Sequence, residues 1–195
     1  MANKEYRDVI TPEFRLVFPY LFEPKSFDDG SDPKYQFIMV FDKNTDISVI
    51  RQLVKETFDE AFPKGKANAR SPFRDGNEKA DEWGEVFRDA TYIRVQSRRK
   101  PTVVDSNKNV ITDANAVYSG VYARAVIGAY AYDRTGNSGI SINFSAVQVT
   151  RHGEKLGFDS SKLVNRFDAV NTSDAFTSSD PFTAAESGNN DPFGF

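Results

Sequence analysis

Residues 118–132 read YSGVYARAVIGAYAY. Side chains of an extended strand alternate between its two faces. Val121, Ala123, Ala125, Ile127, Ala129 and Ala131 therefore share one face, and Tyr118, Tyr122, Arg124, Tyr130 and Tyr132 share the other. The first set is small and apolar, as a core-facing surface requires; the second is aromatic and basic. The stretch predicts a long strand and a β-rich fold. A bend at Gly128 would reverse the parity half-way along, and strand aromatics often serve packing alone. Each tyrosine thus stands open between a core and a surface role.

On either side the pattern remains that of short strands, at 13–18 (EFRLVF), 34–42 (KYQFIMVFD), 91–98, 101–105 and 140–149, with the long one over 117–132. Turn-rich runs at Asp28-Asp29-Gly30-Ser31, 105–109 and 136–139 separate them. One helix is predicted over 46–62: Asp46 caps it, Ile47, Ile50, Val54, Phe58 and Phe62 recur at helical spacing, and Pro63 ends it. Residues 63–90, rich in Gly and charge, read as a long excursion over the body. Several short strands and one long one suit a closed or partly open barrel.

A chain of 195 residues with 39% hydrophobic content supports one core with a tail. With no cysteine and a single histidine, His152, disulfides, thiol nucleophiles and zinc sites are excluded, and no metal or other cofactor is expected. No P-loop, dinucleotide fingerprint or nucleophile elbow occurs, so the chain reads as a non-enzyme. MANKEYRDVI is not a signal sequence, and no apolar run approaches the roughly 18 residues of a membrane span, which predicts a soluble cytoplasmic protein without a membrane partner.

Charge is unevenly placed. The chain has 25 Lys and Arg against 28 Asp and Glu, net -3, yet no base follows Arg166, whereas Asp168, Asp174, Asp180, Glu186 and Asp191 do. Residues 91–134 carry Arg94, Arg98, Arg99, Lys100, Lys108, Arg124 and Arg134 against only Asp105, Asp113 and Asp133. A mildly basic body, 1–165, is joined to an acidic segment, 166–195, whose Ser, Thr, Asn, Asp and Gly offer too little apolar surface to order it. Within that segment Asp-x-Phe recurs at Asp174-Ala175-Phe176, Asp180-Pro181-Phe182 and Asp191-Pro192-Phe193, and Phe195 is the last residue. An anion repeated beside an aromatic suggests a docking peptide, with Asp180, Phe182, Asp191, Phe193 and Phe195 as its contacts.

Tyrosines along a strand with an arginine between them can stack unpaired bases and hold the backbone, each stacked base being worth roughly 1–3 kcal/mol. A second candidate is 92–100, YIRVQSRRK, where Tyr92 and Arg94 alternate outward and Arg98, Arg99 and Lys100 extend the positive charge. The same bases could equally guard an exposed strand edge. Arg70, Phe73, Arg74 and Lys79 could wrap a strand, and Trp83 could stack or anchor a core. Against this stand five neighbouring acids, Asp75, Glu78, Asp81, Glu82 and Glu85.

Several stretches taken in order resemble a family of phage single-stranded DNA-binding proteins of the Enc34-phage type. They are Leu16-Val17-Phe18-Pro19-Tyr20-Leu21-Phe22-Glu23-Pro24, Pro72-Phe73-Arg74-Asp75-Gly76, Lys100-Pro101-Thr102-Val103-Val104-Asp105, and Tyr118-Ser119-Gly120-Val121-Tyr122-Ala123-Arg124-Ala125. Gly136-Asn137-Ser138-Gly139-Ile140 and Gly153-Glu154-Lys155-Leu156-Gly157 complete them. The resemblance implies an OB-like five-stranded Greek-key barrel with one or two helices, sequence-independent binding of single-stranded DNA, a role in phage replication or recombination, and no catalysis. The acidic tail resembles those that recruit replication or recombination proteins, with an extra Gly-Phe after Asp-Pro-Phe. A homo-oligomer is compatible with all of this. Two rivals are a phage structural or scaffold-type β protein, which would self-assemble with little salt-dependent DNA affinity, and a carboxylate-metal nuclease, for which no tight acidic cluster is found.

Overall fold

A computed structural model describes residues 7–26 and 32–157. The chain divides into two units, 1–157 and 158–195. The second lies outside the described residues, and with it the tail boundary and the predicted docking residues Asp180, Phe182, Asp191, Phe193 and Phe195.

The elements run β1 (Val9–Ile10), β2 (Phe14–Lys25), β3 (Lys34–Asp42), α1 (Ser48–Ala61), β4 (Phe73–Asp75), α2 (Asn77–Trp83), β5 (Ala90–Ser97), β6 (Thr102–Val104), β7 (Tyr122–Arg134) and β8 (Asn137–Arg151). Single 3-10 turns occupy Glu85–Phe87 and Ala114–Ala116. Strand β7 pairs antiparallel with β2, β2 with β3 and β3 with β5; β5 meets β8 in parallel at Val95–Ile142, and β8 returns antiparallel to β7. These five strands close a ring, as expected of an OB-like barrel. Short strands β1, β4 and β6 pair onto its outside edges.

Alternation explains the filling. Phe14, Leu16, Phe37, Met39, Phe41, Ile93, Val95, Ala123, Ala125, Ile127, Ile142, Phe144 and Val147 point inward and are buried. Parity along β7 holds from Val121 to Ile127, and the irregularities fall on β8, where an extra residue sits near Ser145 and another near Thr150. Gly128 does not bend the strand. A side chain there would come within 2.8 Å of the Asn143 amide and 3.0 Å of the Asp8 carboxylate.

Helix α1 seats Ile47, Ile50 and Leu53 in the same core, while Phe58 and Phe62 pack on each other at its far end, rings 5.2 Å apart. Asp46 sits one position outside the cap predicted for it. The cap position is Ile47, and the Asp46 carboxylate accepts the Ser48 N–H at 2.9 Å, a bond that holds its pKa below the usual carboxylate range. The predicted strand 117–132 starts later, at Tyr122, because Gly120 turns the chain at φ +115°; a Cβ there would lie 2.0 Å from the Glu154 carbonyl oxygen.

A second, smaller core lies outside the barrel. Val17, Ile38, Val40, Ala90 and Tyr92 face away from the main core and are roofed by Ala80 and Phe87, with Trp83 and Leu156 at the margin. The excursion 63–90 supplies this roof. It covers only part of the outer face of β2, β3 and β5, and the uncovered part is where the site lies.

Candidate nucleic-acid interface

On the open part of that outer face, register aligns Tyr20 with Gln36 and Gln36 with Gln96, while the next row places Val17, Ile38 and Arg94 side by side. Two cavities adjoin there. One, of about 290 Å³, is lined by Phe18, Tyr20, Lys25, Gln36 and Arg94 among others. The other, of about 420 Å³, has Arg70, Arg74, Lys79, Trp83, Arg94 and Tyr132 in its wall. Arg94 belongs to both and makes them one cleft.

Local chemistry accounts for each wall. Pro19 cannot donate to a sheet ladder, and the pairing of β2 with β3 shifts between Val17 and Tyr20. The shift reverses parity: Phe14 and Leu16 point into the barrel before it and Leu21 after it. Phe18, held at φ +53°, is left 40% exposed with its ring edge-on to Trp83 at 5.7 Å. A bulky residue in the left-handed region is strained, and such strain gathers at functional sites. Arg70 is fixed by its backbone, its N–H donating to Ser138 O at 2.8 Å and its carbonyl accepting from Ile140 N at 3.1 Å.

No acid occurs among the described residues lining either cavity. Four of the five acids that weighed against 70–83 in the sequence are engaged without lining the cleft: Glu82 pairs with Lys79 of its wall at 2.6 Å, Asp81 and Glu85 with Arg88, and Asp75 accepts the Asn77 N–H. Glu78 is exposed and is not a lining residue. Lys79 also lies 4.8 Å over the Trp83 ring, and its bond to Glu82 raises its basicity. Arg70 and Arg74 form no ion pair among the described residues. Gln36 is 4% exposed, and its side-chain nitrogen has no hydrogen-bond partner. An unpaired buried donor of this kind costs a fold about 1–3 kcal/mol.

The predicted residues are dispersed. Arg94, Tyr132 and the edge of Tyr92 line the cleft. Tyr92 faces away from the barrel, as its parity required, but the expectation of an outward, available ring is corrected: it is buried beneath Phe87 and Trp83, ring distances 5.6 and 5.8 Å, because the excursion roofs that row. Tyr118 is not on β7; its ring stacks on His152 and its hydroxyl donates to Gly153 O at 3.0 Å. Tyr122 receives a hydrogen bond of 2.7 Å from Arg15, and both Arg15 and Arg151 lie over its ring, at 4.5 and 3.2 Å. The Arg15 bond is the main reason its phenol is more acidic than usual. Arg124 donates to Gln148 at 2.9 Å, Tyr130 stands exposed on the hairpin, and Arg98, Arg99 and Lys100 form the exposed turn after β5, with Arg98 3.3 Å from Asp32.

Phe18, Tyr20, Lys25 and Gln36 were not singled out in the sequence as binding residues. Proline inside an apolar strand was the available signal, since it marks the shift that turns Phe18 outward.

A family model described as Enterobacter phage Enc34, ssDNA-binding protein, matches residues 7–177. The chain belongs to that family. Protein p50 of Acyrthosiphon pisum secondary endosymbiont phage 1 is 28% identical over 167 residues, spanning 79% of this chain and 89% of that one. The single-stranded DNA-binding protein of bacteriophage Enc34, solved in complex with ssDNA, superposes with a TM-score of 0.66 at 19% identity, over 80% of this chain and 97% of that one. The single-stranded DNA-binding protein gp2.5 of bacteriophage T7 does so at 0.59 and 13% identity, over 82% and 96%. The OB-like barrel is therefore a fold shared with a solved phage single-stranded DNA-binding protein.

Proposed function

We propose that the protein binds single-stranded DNA without regard to sequence, and that the strand runs through the cleft on the outer face of β2, β3 and β5. The observation that carries this is the composition of the cleft wall: Arg70, Arg74 and Arg94 interleaved with Phe18, Trp83 and Tyr132, and no acid among the described lining residues. Cations hold the phosphates and aromatic faces stack the bases, a combination that tolerates any sequence but requires unpaired strands. Membership of a phage single-stranded DNA-binding family supports the reading, and on this proposal the protein serves phage replication or recombination without catalysing a reaction. The acidic segment after Arg166, tethered to the domain, recruits partner proteins through its Asp-x-Phe units and competes with phosphate for the cleft when DNA is absent.

The test is a titration of labelled oligo(dT) and of a duplex of equal length at two salt concentrations, with the full chain and with one ended at residue 167. Tight, salt-sensitive preference for the single strand is expected, with tighter binding by the shortened chain at low salt. Binding to neither nucleic acid overturns the reading. Equal affinity of the two chains at both salts removes the screening role alone.

A further inference from the structure

Among the described residues, Gln36 is the one buried side chain of the cleft wall whose donor is unspent. Its row neighbours, Tyr20 and Gln96, do not bond to that nitrogen, and Lys34, the nearest cation along the strand, donates to Gln96 at 3.4 Å instead. A leucine or methionine would fill the same space without an orphaned N–H, so packing does not account for an amide here. The 290 Å³ cavity beside it combines that donor with the Phe18 ring and the Arg94 guanidinium. Flat apolar face, hydrogen-bond donor and cation are the three contacts that a base with its attached phosphate accepts.

Building on the DNA reading above, we infer that this cavity is a base-docking site. One nucleobase turns out of the bound strand, the Gln36 side-chain nitrogen donates to an acceptor on its edge, Phe18 lies against its face, and Arg94 holds the adjoining phosphate at the passage to the second cavity. Every nucleobase carries a ring-nitrogen or carbonyl acceptor, so a lone donor separates a base from no base without choosing among the four. Water does not reach the Gln36 nitrogen in the unbound chain. Docking therefore needs the cavity lining to give way, and Phe18, 40% exposed and strained at φ +53°, is the member of that lining we assign to move. Its ring touches Trp83, the only tryptophan of the chain, so displacement is reported by intrinsic fluorescence.

The experiment compares the full-length protein with its Gln36→Met variant, titrated at one salt concentration with oligo(dT) and with an abasic strand of the same length. Labelled-strand anisotropy, Trp83 emission and thermal melting are the readouts. Loss of one hydrogen bond predicts roughly a three- to tenfold weaker grip on oligo(dT), unchanged affinity for the abasic strand, and a melting temperature equal to or above that of the parent. In the parent, oligo(dT) shifts Trp83 emission and the abasic strand does not. Should Gln36→Met fold poorly, Gln36→Leu serves the same comparison. Equal oligo(dT) affinity in parent and variant overturns the docking site while leaving the DNA reading intact; a parent that binds neither strand overturns both.

Discussion

Tyr122 and Tyr132 stand near the two ends of one face of β7, and the molecule treats them oppositely. Around Tyr122 the cations are largely engaged: Arg15 bonds its hydroxyl and keeps only its buried Nε without a partner, Arg151 covers its ring, and Glu13 holds Arg151 at 2.8 Å and accepts from Thr150. Around Tyr132, Arg70 and Arg74 form no ion pair among the described residues, and Gln36 in the adjoining cavity keeps a free donor. Both surroundings are aromatic and basic. What separates a clamp from a binding surface is how far the charge has already been paired within the fold.

The comparison breaks or sharpens most readily through the tyrosines themselves. Tyr132→Ala is expected to weaken oligo(dT) binding by about 1–3 kcal/mol, the scale of one stacked base, with little change in melting. Tyr122→Ala is expected to do the reverse, leaving affinity alone and costing about 1–2 kcal/mol of stability in a denaturant titration as its cation–π contacts are lost. Equal affinity losses in the two variants would erase the distinction. Next in size, Arg74→Gln should weaken binding alike for all sequences and reduce the slope of log affinity against log salt by about one, read from titrations at several salt concentrations.

The smallest effect concerns pH at the Tyr122 end. Burial pushes the Glu13 carboxyl up, but its bonds to Arg151 and Thr150 outweigh this and leave it below the usual 4.5. With the folded value depressed, the unfolded chain takes up the proton first. Glu13 thus contributes stability that is full above 4.5 and lost as pH falls through its lower folded value. Glu13→Gln should melt below the parent at neutral pH and converge on it in acid, with DNA affinity unmoved throughout.

Much of the barrel was legible because alternation and turn residues are local signals. The strand pattern of 34–42 returned as β3 with the same bounds, and the inward face of β7 kept its predicted members Val121, Ala123, Ala125 and Ile127. The site was less legible because it depends on what lies across from each strand. Parity told that Tyr92 leaves the barrel, but not that Phe87 and Trp83 would roof it; the charge count of 70–85 did not tell that its acids would be consumed by Lys79, Arg88 and a turn. Phe18 and Tyr20 were hidden by the shift at Pro19, which puts residues of core-facing parity on the outside.

Gly139 carries a last consequence. A Cβ there would stand 2.4 Å from the Arg70 carbonyl oxygen, so the backbones of the hairpin and the excursion touch where nothing but hydrogen fits. The arginine wall is therefore stitched to a point far downstream in sequence, after four further strands have been laid down. Contacts of such high order form late and slowly as a chain folds. A nascent or refolding molecule would own a nearly complete barrel before it could grip DNA, and local fraying of one hairpin tip would release the ligand without unfolding the domain.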